Sequence, residues 1–336
     1  MPVTNHDEFR ADLGLVAEAV RSGVVESYAR KKDAHWDVWL DYCRTVGCDP
    51  HLADIDDPVP YLQVFAHRYR DGRIAPSGRT VKSQTVSDAV RSVGQRFSRM
   101  GSVDPRLDSY GNLDFRLTRQ FRGYKKTDPA KLRVKPLPVC IVLRILEYCF
   151  ENPIPMRLAV ANMICIAFFF CLRPVEYTGT TTDDQAFSLN DITLYLLDRR
   201  LSLKDATDDE IEAATQVTYC FTKQKNEEEG VTIAHARSEH HLCCPVRSTI
   251  LQVLMHRRAF ARFNRPFNGA VKLASYYTDA GKNIPVKASQ VTGMIRIYAN
   301  VLRSKTGIDP AELSARSLRA GGAMALLSGG CNSDII

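Results

Sequence analysis

No secretory signal opens this sequence, no internal repeat or low-complexity tract runs through it, and no cysteine–histidine pattern has the spacing of a known metal site. Each absence excludes something. The ten cysteines (43, 48, 140, 149, 165, 171, 220, 243, 244 and 331) follow no signal, which predicts a reducing interior rather than a disulfide framework. Cys140, Cys149, Cys165 and Cys171 lie in apolar contexts, where a free thiol behaves as a small core residue. His235, His240, His241, Cys243 and Cys244 crowd one short stretch, but adjacent ligands rarely reach one tetrahedral ion, so no metal is expected there. Only residues 154–172 approach membrane-spanning length, and Pro155, Arg157 and Asn162 interrupt them. A buried central helix is expected there, and no membrane partner.

What is present is the composition of an ordinary water-soluble chain: 45% hydrophobic, 25% charged and 9% aromatic over 336 residues, enough for two domains with a core each. The net charge of +7 is unevenly placed. Residues 1–73 carry −4, residues 74–135 carry +9 and residues 136–336 carry +2. A block of one sign suits a face turned to a polyanion.

Residues 1–25 read as a peripheral segment with one short helix over Asp7–Val20. Helical spacing then recurs from Glu26 to Gly47, over Pro60–Arg70, from Ser83 or Thr85 to Gly101, and over Leu113–Tyr124. Residues 26–128 are therefore expected to form a small all-helical domain. Its Arg79, Lys82, Arg91, Arg96, Arg119, Arg122, Lys125 and Lys126 are denser than an ordinary solvated face, and they are the candidate DNA contacts. A proline-rich linker, 129–138, separates it from a second domain over 139–336. There, helices are predicted at Pro138–Phe150, Ile154–Leu172, Pro245–Phe260 and Lys287–Ser304, with strands at Ile192–Leu197, Gln216–Thr222 and Val231–Ala236. The last two strands flank a turn-rich connector carrying Lys223 and Lys225.

The stretch from Ser314 to Leu327 reads as a late helix with Ser314 as N-cap. Arg316 and Arg319 stand three apart on its first turns, and a cationic pair at a helix start opposes the dipole unless an anion sits there. Ala320, Gly321, Gly322 and Ala323 follow with almost no side-chain bulk. Two glycines in a helix cost about 1 kcal/mol each, which close backbone approach would offset.

Arg173 after a buried helix, a lysine at a hairpin and Arg-x-x-Arg at a late helix occur in that order. Together they resemble the catalytic domain of the tyrosine recombinases, the phage integrase family. Leu172-Arg173-Pro-Val-Glu176 matches its first-arginine motif, Lys223 or else Lys225 its hairpin lysine, and Arg316-Ser-Leu-Arg319 its His-x-x-Arg motif. The phrases CLRPVEYT, FTKQKN, CPVRS and RSLRAGGAMALL are closest to recombinases of Crypton and DIRS elements. The resemblance spans residues 26 to 336. It implies a mainly α fold, a helical SAM-like core-binding domain followed by an α+β catalytic domain with a small hairpin or sheet.

The resemblance also implies the chemistry. Arg173 and Arg319 hold the non-bridging oxygens of a DNA phosphodiester, because guanidinium is always charged and donates in pairs. Lys223 protonates the departing 5′ oxygen, and Glu176 holds the arginine array. A phosphotyrosine intermediate conserves bond energy, so neither a metal nor a nucleotide cofactor is implied. The partners implied are double-stranded DNA and further copies of the chain on that DNA, with no small-molecule substrate. The location implied is intracellular, and nuclear in a eukaryotic host.

Two departures qualify this. Arg316 stands where the family has histidine, and arginine does not deprotonate in proteins. The family's nucleophilic tyrosine lies beyond the second arginine, yet none of the 17 residues after Arg319 is tyrosine. The chain as written is expected not to cleave DNA by itself. The alternatives are a remnant or domesticated DNA-binding protein without catalysis, and a helical interaction protein whose arginines are coincidental. Only the last predicts no salt-sensitive affinity for DNA.

Overall fold

Trp36, Trp39, Tyr42 and Cys43 share one side of a helix by their spacing, and the computed structural model buries all four. The structure describes residues 6–24, 26–130, 134–178, 186–222 and 230–331. The chain divides into two compact units, Met1–Lys131 and Leu132–Ile336. The fold is mainly helical, with a small antiparallel sheet in the second unit.

The first unit contains α1 (His6–Ser22), α2 (Glu26–Val46), α3 (Val59–Arg70), α4 (Ser83–Arg99) and α5 (Phe115–Thr127). The side chains of residues 8–20 on α1 are all exposed. The other four helices enclose an aromatic core in which Trp39 meets Phe65 edge-on at 5.2 Å and Phe65 meets Tyr42 at 5.4 Å. Val86, Ala89, Val90, Val93 and Phe97 of α4 are buried as their periodicity predicts. Neither Ser83 nor Thr85 caps α4: Lys82 is the N-cap, without a side-chain bond. Ser83 is instead bound through its N–H and its hydroxyl to the Asp128 carboxylate, which also takes Arg70 Nη1 at 2.5 Å. Ser83 and Arg70 together hold the Asp128 carboxyl below the usual carboxylate range. This clasp ties α3, α4 and the end of α5 across 58 positions of sequence. α5 starts at Phe115 rather than Leu113, because the Asp114 carboxylate caps it by accepting from Arg116 N at 2.7 Å.

The second unit opens with α6 (Val139–Glu151) and α7 (Pro155–Phe169). Every residue of α7 from Ala159 to Phe168 is buried, so this helix is the centre of the unit, packed by neighbours on all sides. It stops earlier than the apolar run suggests because Cys171 takes φ +50°, which no continuing helix allows. A single turn, α8 (Pro174–Tyr177), follows. Strands β1 (Ile192–Leu196) and β2 (Arg199–Leu201), the short helix α9 (Asp208–Glu212), and strands β3 (Gln216–Phe221) and β4 (Val231–Ala236) come next. The sheet order is β2-β1-β3-β4, antiparallel throughout. β2 is too short and too charged to stand out in the sequence.

Helix α10 (Pro245–Arg262) then crosses α7, and a two-stranded ribbon, β5 (Ser275–Tyr277) with β6 (Asn283–Pro285), leads to α11 (Ala288–Val301), α12 (Arg303–Thr306) and α13 (Ser317–Ser328). Tyr277 is structural: its hydroxyl meets His256 Nδ1 at 3.2 Å, while His256 Nε2 lies 3.1 Å from the Leu273 carbonyl. Cys140 and Cys171 are only partly buried, whereas Cys149 and Cys165 are core residues. No helix among the described residues is long and apolar enough to cross a membrane.

The glycine pair of α13 lies directly on α7. A Cβ on Gly322 would collide with the Phe168 carbonyl oxygen and lie 2.9 Å from Cys171 Sγ, and one on Gly321 would strike the Leu137 backbone. Gly322→Ala is therefore expected to destabilise the fold by about 3 kcal/mol, although helix propensity alone would favour alanine. Urea unfolding measures the sign. Burial pushes the His256 imidazole down to about 4 from its ordinary 6.5. Above pH 6.5 both states are neutral and stability is full. As the pH falls toward 4 only the unfolded chain takes the proton, so up to about 3 kcal/mol should be lost. That slope should be absent from His256→Gln in urea titrations run at each pH.

Candidate nucleic-acid interface

The candidate site begins where α7 ends. After the left-handed turn at Cys171, Leu172 is buried and Arg173 is extended, serving as the N-cap of α8. Arg173 N donates to Glu176 Oε2 at 2.6 Å and its Nη1 to Glu176 Oε1 at 3.0 Å, so both carboxylate oxygens hold one arginine. Glu176 is buried and Arg173 is about one-third exposed, with a side-chain value of 35%. Among the described residues Arg173 Nε and Nη2 make no hydrogen bond, which leaves part of the guanidinium for an external oxygen.

The segment carrying Arg316 and Arg319 is fixed to this turn. Tyr177, fully buried, donates its hydroxyl to the Ala315 carbonyl at 3.3 Å. From α11, Thr292 Oγ1 accepts Ala315 N at 3.1 Å and Arg296 Nε donates to the Leu313 carbonyl at 3.0 Å. Leu137 N adds a bond to the Ser317 carbonyl at 3.0 Å. Ser314 is not the cap of α13: its hydroxyl accepts Arg316 N in a turn before the helix, and Arg316 itself is the N-cap. Arg316 and Arg319 are both exposed, and among the described residues neither side chain has a hydrogen bond or an ion pair. Burial raises the Cys171 thiol above its ordinary pKa, while the nearby Arg319 charge draws it down. Arg173 is two residues from that thiol, Arg319 is within electrostatic reach of it, and Gly322 rests on it. Arg173 and Arg319 thus each lie near Cys171 at the end of α7, and among the described residues only Glu176 forms an ion pair with either of them.

The strand pair reaches the same turn. Phe187 N donates to the Glu176 carbonyl at 2.9 Å, and the Phe187 ring meets Tyr219 and Phe221 of β3 edge-on at 5.1 and 5.0 Å. His235 of β4 lies 4.5 Å from the Phe170 ring, its imidazole pushed down by burial. The connector that leaves β3 after Phe221 therefore starts beside α8. Lys223 and Lys225 belong to it and lie outside the described residues.

In the first unit, Arg79, Lys82, Arg91, Arg119, Arg122, Lys125 and Lys126 are exposed. Arg119, Arg122 and Lys126 share the side of α5 opposite Leu117, Phe121 and Tyr124, with Arg119 over the Phe115 ring at 5.6 Å. Arg91 is 3.9 Å from Asp88. Arg96 differs from the rest: it is half-buried, 3.6 Å from Asp33 and over the Trp36 ring at 5.8 Å, so it braces α2 on α4. In the second unit the His240 ring accepts Leu242 N and Cys243 N, and Cys244 caps α10. No group of metal-ligating side chains converges among the described residues. Sequence reading missed Tyr177, Thr292 and Arg296, since a contact such as Tyr177–Ala315, 138 positions apart, has no local signature.

No known family profile and no curated protein matches the chain. Among solved structures it is similar to the Tn1549 transposon integrase in complex with transposon right-end DNA. The identity is 14%, over 96% of this chain and 88% of that one, with a TM-score of 0.49. It is also similar to a lambda integrase dimer bound to a COC′ core site, at 13% identity over 98% and 92%, with a TM-score of 0.43. Similarity at this level assigns no family.

Proposed function

We propose that the chain binds duplex DNA in the manner of a tyrosine recombinase, with Arg173 and Arg319 on the non-bridging oxygens of one backbone phosphate. The observation that carries this reading is that Arg319 acts on the Cys171 thiol, two residues before Arg173, at the end of α7. Arg316 and Arg319 have no acidic partner among the described residues, and Glu176 occupies only one edge of Arg173. Guanidiniums left without an acidic partner keep their paired donors available for an external anion such as a phosphate. In this reading Lys223, or Lys225, supplies the proton to the departing oxygen. Residues 26–128 clamp the duplex through Arg79, Lys82, Arg91 and the α5 stripe, and copies of the chain meet on intracellular DNA, in the nucleus of a eukaryotic host. The motif wording supports a mobile-element origin of the Crypton or DIRS kind.

A second reading, DNA binding without strand cleavage, is favoured by Arg316. Its guanidinium can hold a phosphate but cannot take a proton, so the shuttle that histidine would supply is lost at that position.

Fluorescence anisotropy with nicked and intact duplex across a salt series tests the DNA binding that both readings require. Affinity should fall steeply with salt, and the triple substitution Arg119→Ala, Arg122→Ala, Lys126→Ala should flatten the log–log slope by about 2 to 3. Arg173→Ala and Arg319→Ala should each weaken nicked-duplex binding about tenfold, while Lys282→Ala changes it less than about twofold. Equal effects of all three single substitutions would leave only a diffuse basic surface. Tyr177→Phe removes no charge, yet it should cost about 1 kcal/mol in urea unfolding, because the Ala315 carbonyl loses its partner.

A further inference from the structure

Of the large apolar and aromatic side chains among the described residues, Tyr110 is the most exposed, at 88%. It stands at the tip of the loop between α4 and α5, and hydrogen bonds fix that loop from base to tip. At the base, the buried Asp104 carboxylate holds the Arg106 guanidinium through Nε and Nη2. The pair rests on α4, because a Cβ on Gly94 would strike both side chains. Above it Leu107 and Leu113 form an antiparallel bridge, and Asp114 N donates to the Arg106 carbonyl at 2.8 Å. At the tip Asp108 Oδ1 accepts Tyr110 N and Asn112 N at 2.9 Å each, and Gly111 takes φ +79°, which glycine allows. The Tyr110 backbone is therefore held in place, while its side chain has no hydrogen bond or ring contact among the described residues. A tyrosine so presented can be covered by a partner with the loss of only two torsions.

The surroundings select the partner. Residues 99–126 carry seven Lys/Arg against three carboxylates. All three carboxylates are engaged: Asp104 by Arg106, Asp114 by Arg116, and Asp108 by the two N–H groups of the tip. Arg119, Arg122 and Lys126 are exposed and form no ion pair among the described residues. Phe115, 68% exposed, stands on their face of α5, under Arg119. Tyr110 precedes Phe115 by five residues, so the two backbones lie within about 18 Å, a span of about five stacked nucleotides. An aromatic ring at the end of a cationic face suits a base beside its phosphates, since every base has a π-face. An apolar protein partner would leave the cations without an anion. In an intact duplex the base faces are covered by their neighbours, so stacking needs a base that has left the helix.

Resting on the DNA-binding reading, we propose that Tyr110 stacks on a base displaced from the duplex, while Arg119, Arg122 and Lys126 hold the phosphates beside it. Fluorescence anisotropy of the full chain tests this with an intact duplex and with one carrying a short single-stranded gap, each across a salt series. Tyr110→Ala should weaken gapped-duplex binding about five- to tenfold and change intact-duplex binding less than about twofold. Its salt slope should stay as it was, because no phosphate contact is lost. Tyr110→Phe keeps the ring and should bind both probes like the unaltered chain. 2-Aminopurine placed in the gap should be quenched by the unaltered chain and by Tyr110→Phe, but not by Tyr110→Ala. The side chain supports nothing in the fold, so melting curves of both variants should match the unaltered chain. Salt-dependent binding with gapped-duplex affinity unchanged in Tyr110→Ala, or equal quenching by all three chains, overturns the stacking alone. No salt-dependent binding of the unaltered chain to either probe overturns the DNA-binding reading with it. Self-association in light scattering that disappears in Tyr110→Ala, with gapped-duplex affinity unchanged, would make the tip a protein-docking surface instead and overturn the proposal.

Discussion

Everything at the candidate site depends on how closely α13 approaches α7. The Gly321–Gly322 pair lets the two backbones come so near that a single methyl group would strike the Phe168 carbonyl or the Leu137 main chain. That approach fixes the height of Arg319 relative to Cys171, and hence relative to Arg173 two residues later. Side chains of ordinary size would separate the helices and move the two arginines apart. The cost of two glycines in a helix is offset here by packing and by position.

The second constraint is the burial of Glu176. A carboxylate at 5% exposure needs a charge partner and donors, and Arg173 supplies both from its side chain and its own backbone N–H. The same turn then spends its remaining groups on neighbours: the Glu176 carbonyl on Phe187, and the Tyr177 hydroxyl on Ala315. One four-residue helix thereby joins the central helix, the sheet and the last helix. Among the described residues Arg316 and Arg319 form no ion pair, and both are exposed. The first unit has its own version of such a clasp in Arg70, Ser83 and Asp128, where residues distant in sequence meet at a single carboxylate.

Much of this was legible from the chain. The apolar periodicity of α2, α4 and α10 has one solution, a buried stripe, and the alternation along β3 (intermediate, then buried, repeated) is that of a strand with one covered face. Arg173 and the Arg316–Arg319 pair stood out because charge beside an apolar run, or at a helix start, needs an explanation, whereas Glu176 was marked only by the motif resemblance. Element ends were less legible. α7 stops at Phe169 because Cys171 enters the left-handed region, a choice made by packing rather than by residue type. Ser314 looked like a cap, yet tertiary bonds to Thr292 and Arg296 hold its segment out of the helix and pass the cap to Arg316.

By itself, then, the sequence determined the longer helices and strands, which of their faces are buried, and which charged residues are out of place in a plain fold. These follow from periodicity, propensity and charge, all of them short-range in the chain. Only the tertiary structure decided which of those charges meet. It set Arg319 near the Cys171 thiol and Arg96 against Trp36 and Asp33. The physical reason is that hydrogen bonds and packing between residues far apart in the sequence act only once the chain has closed on itself.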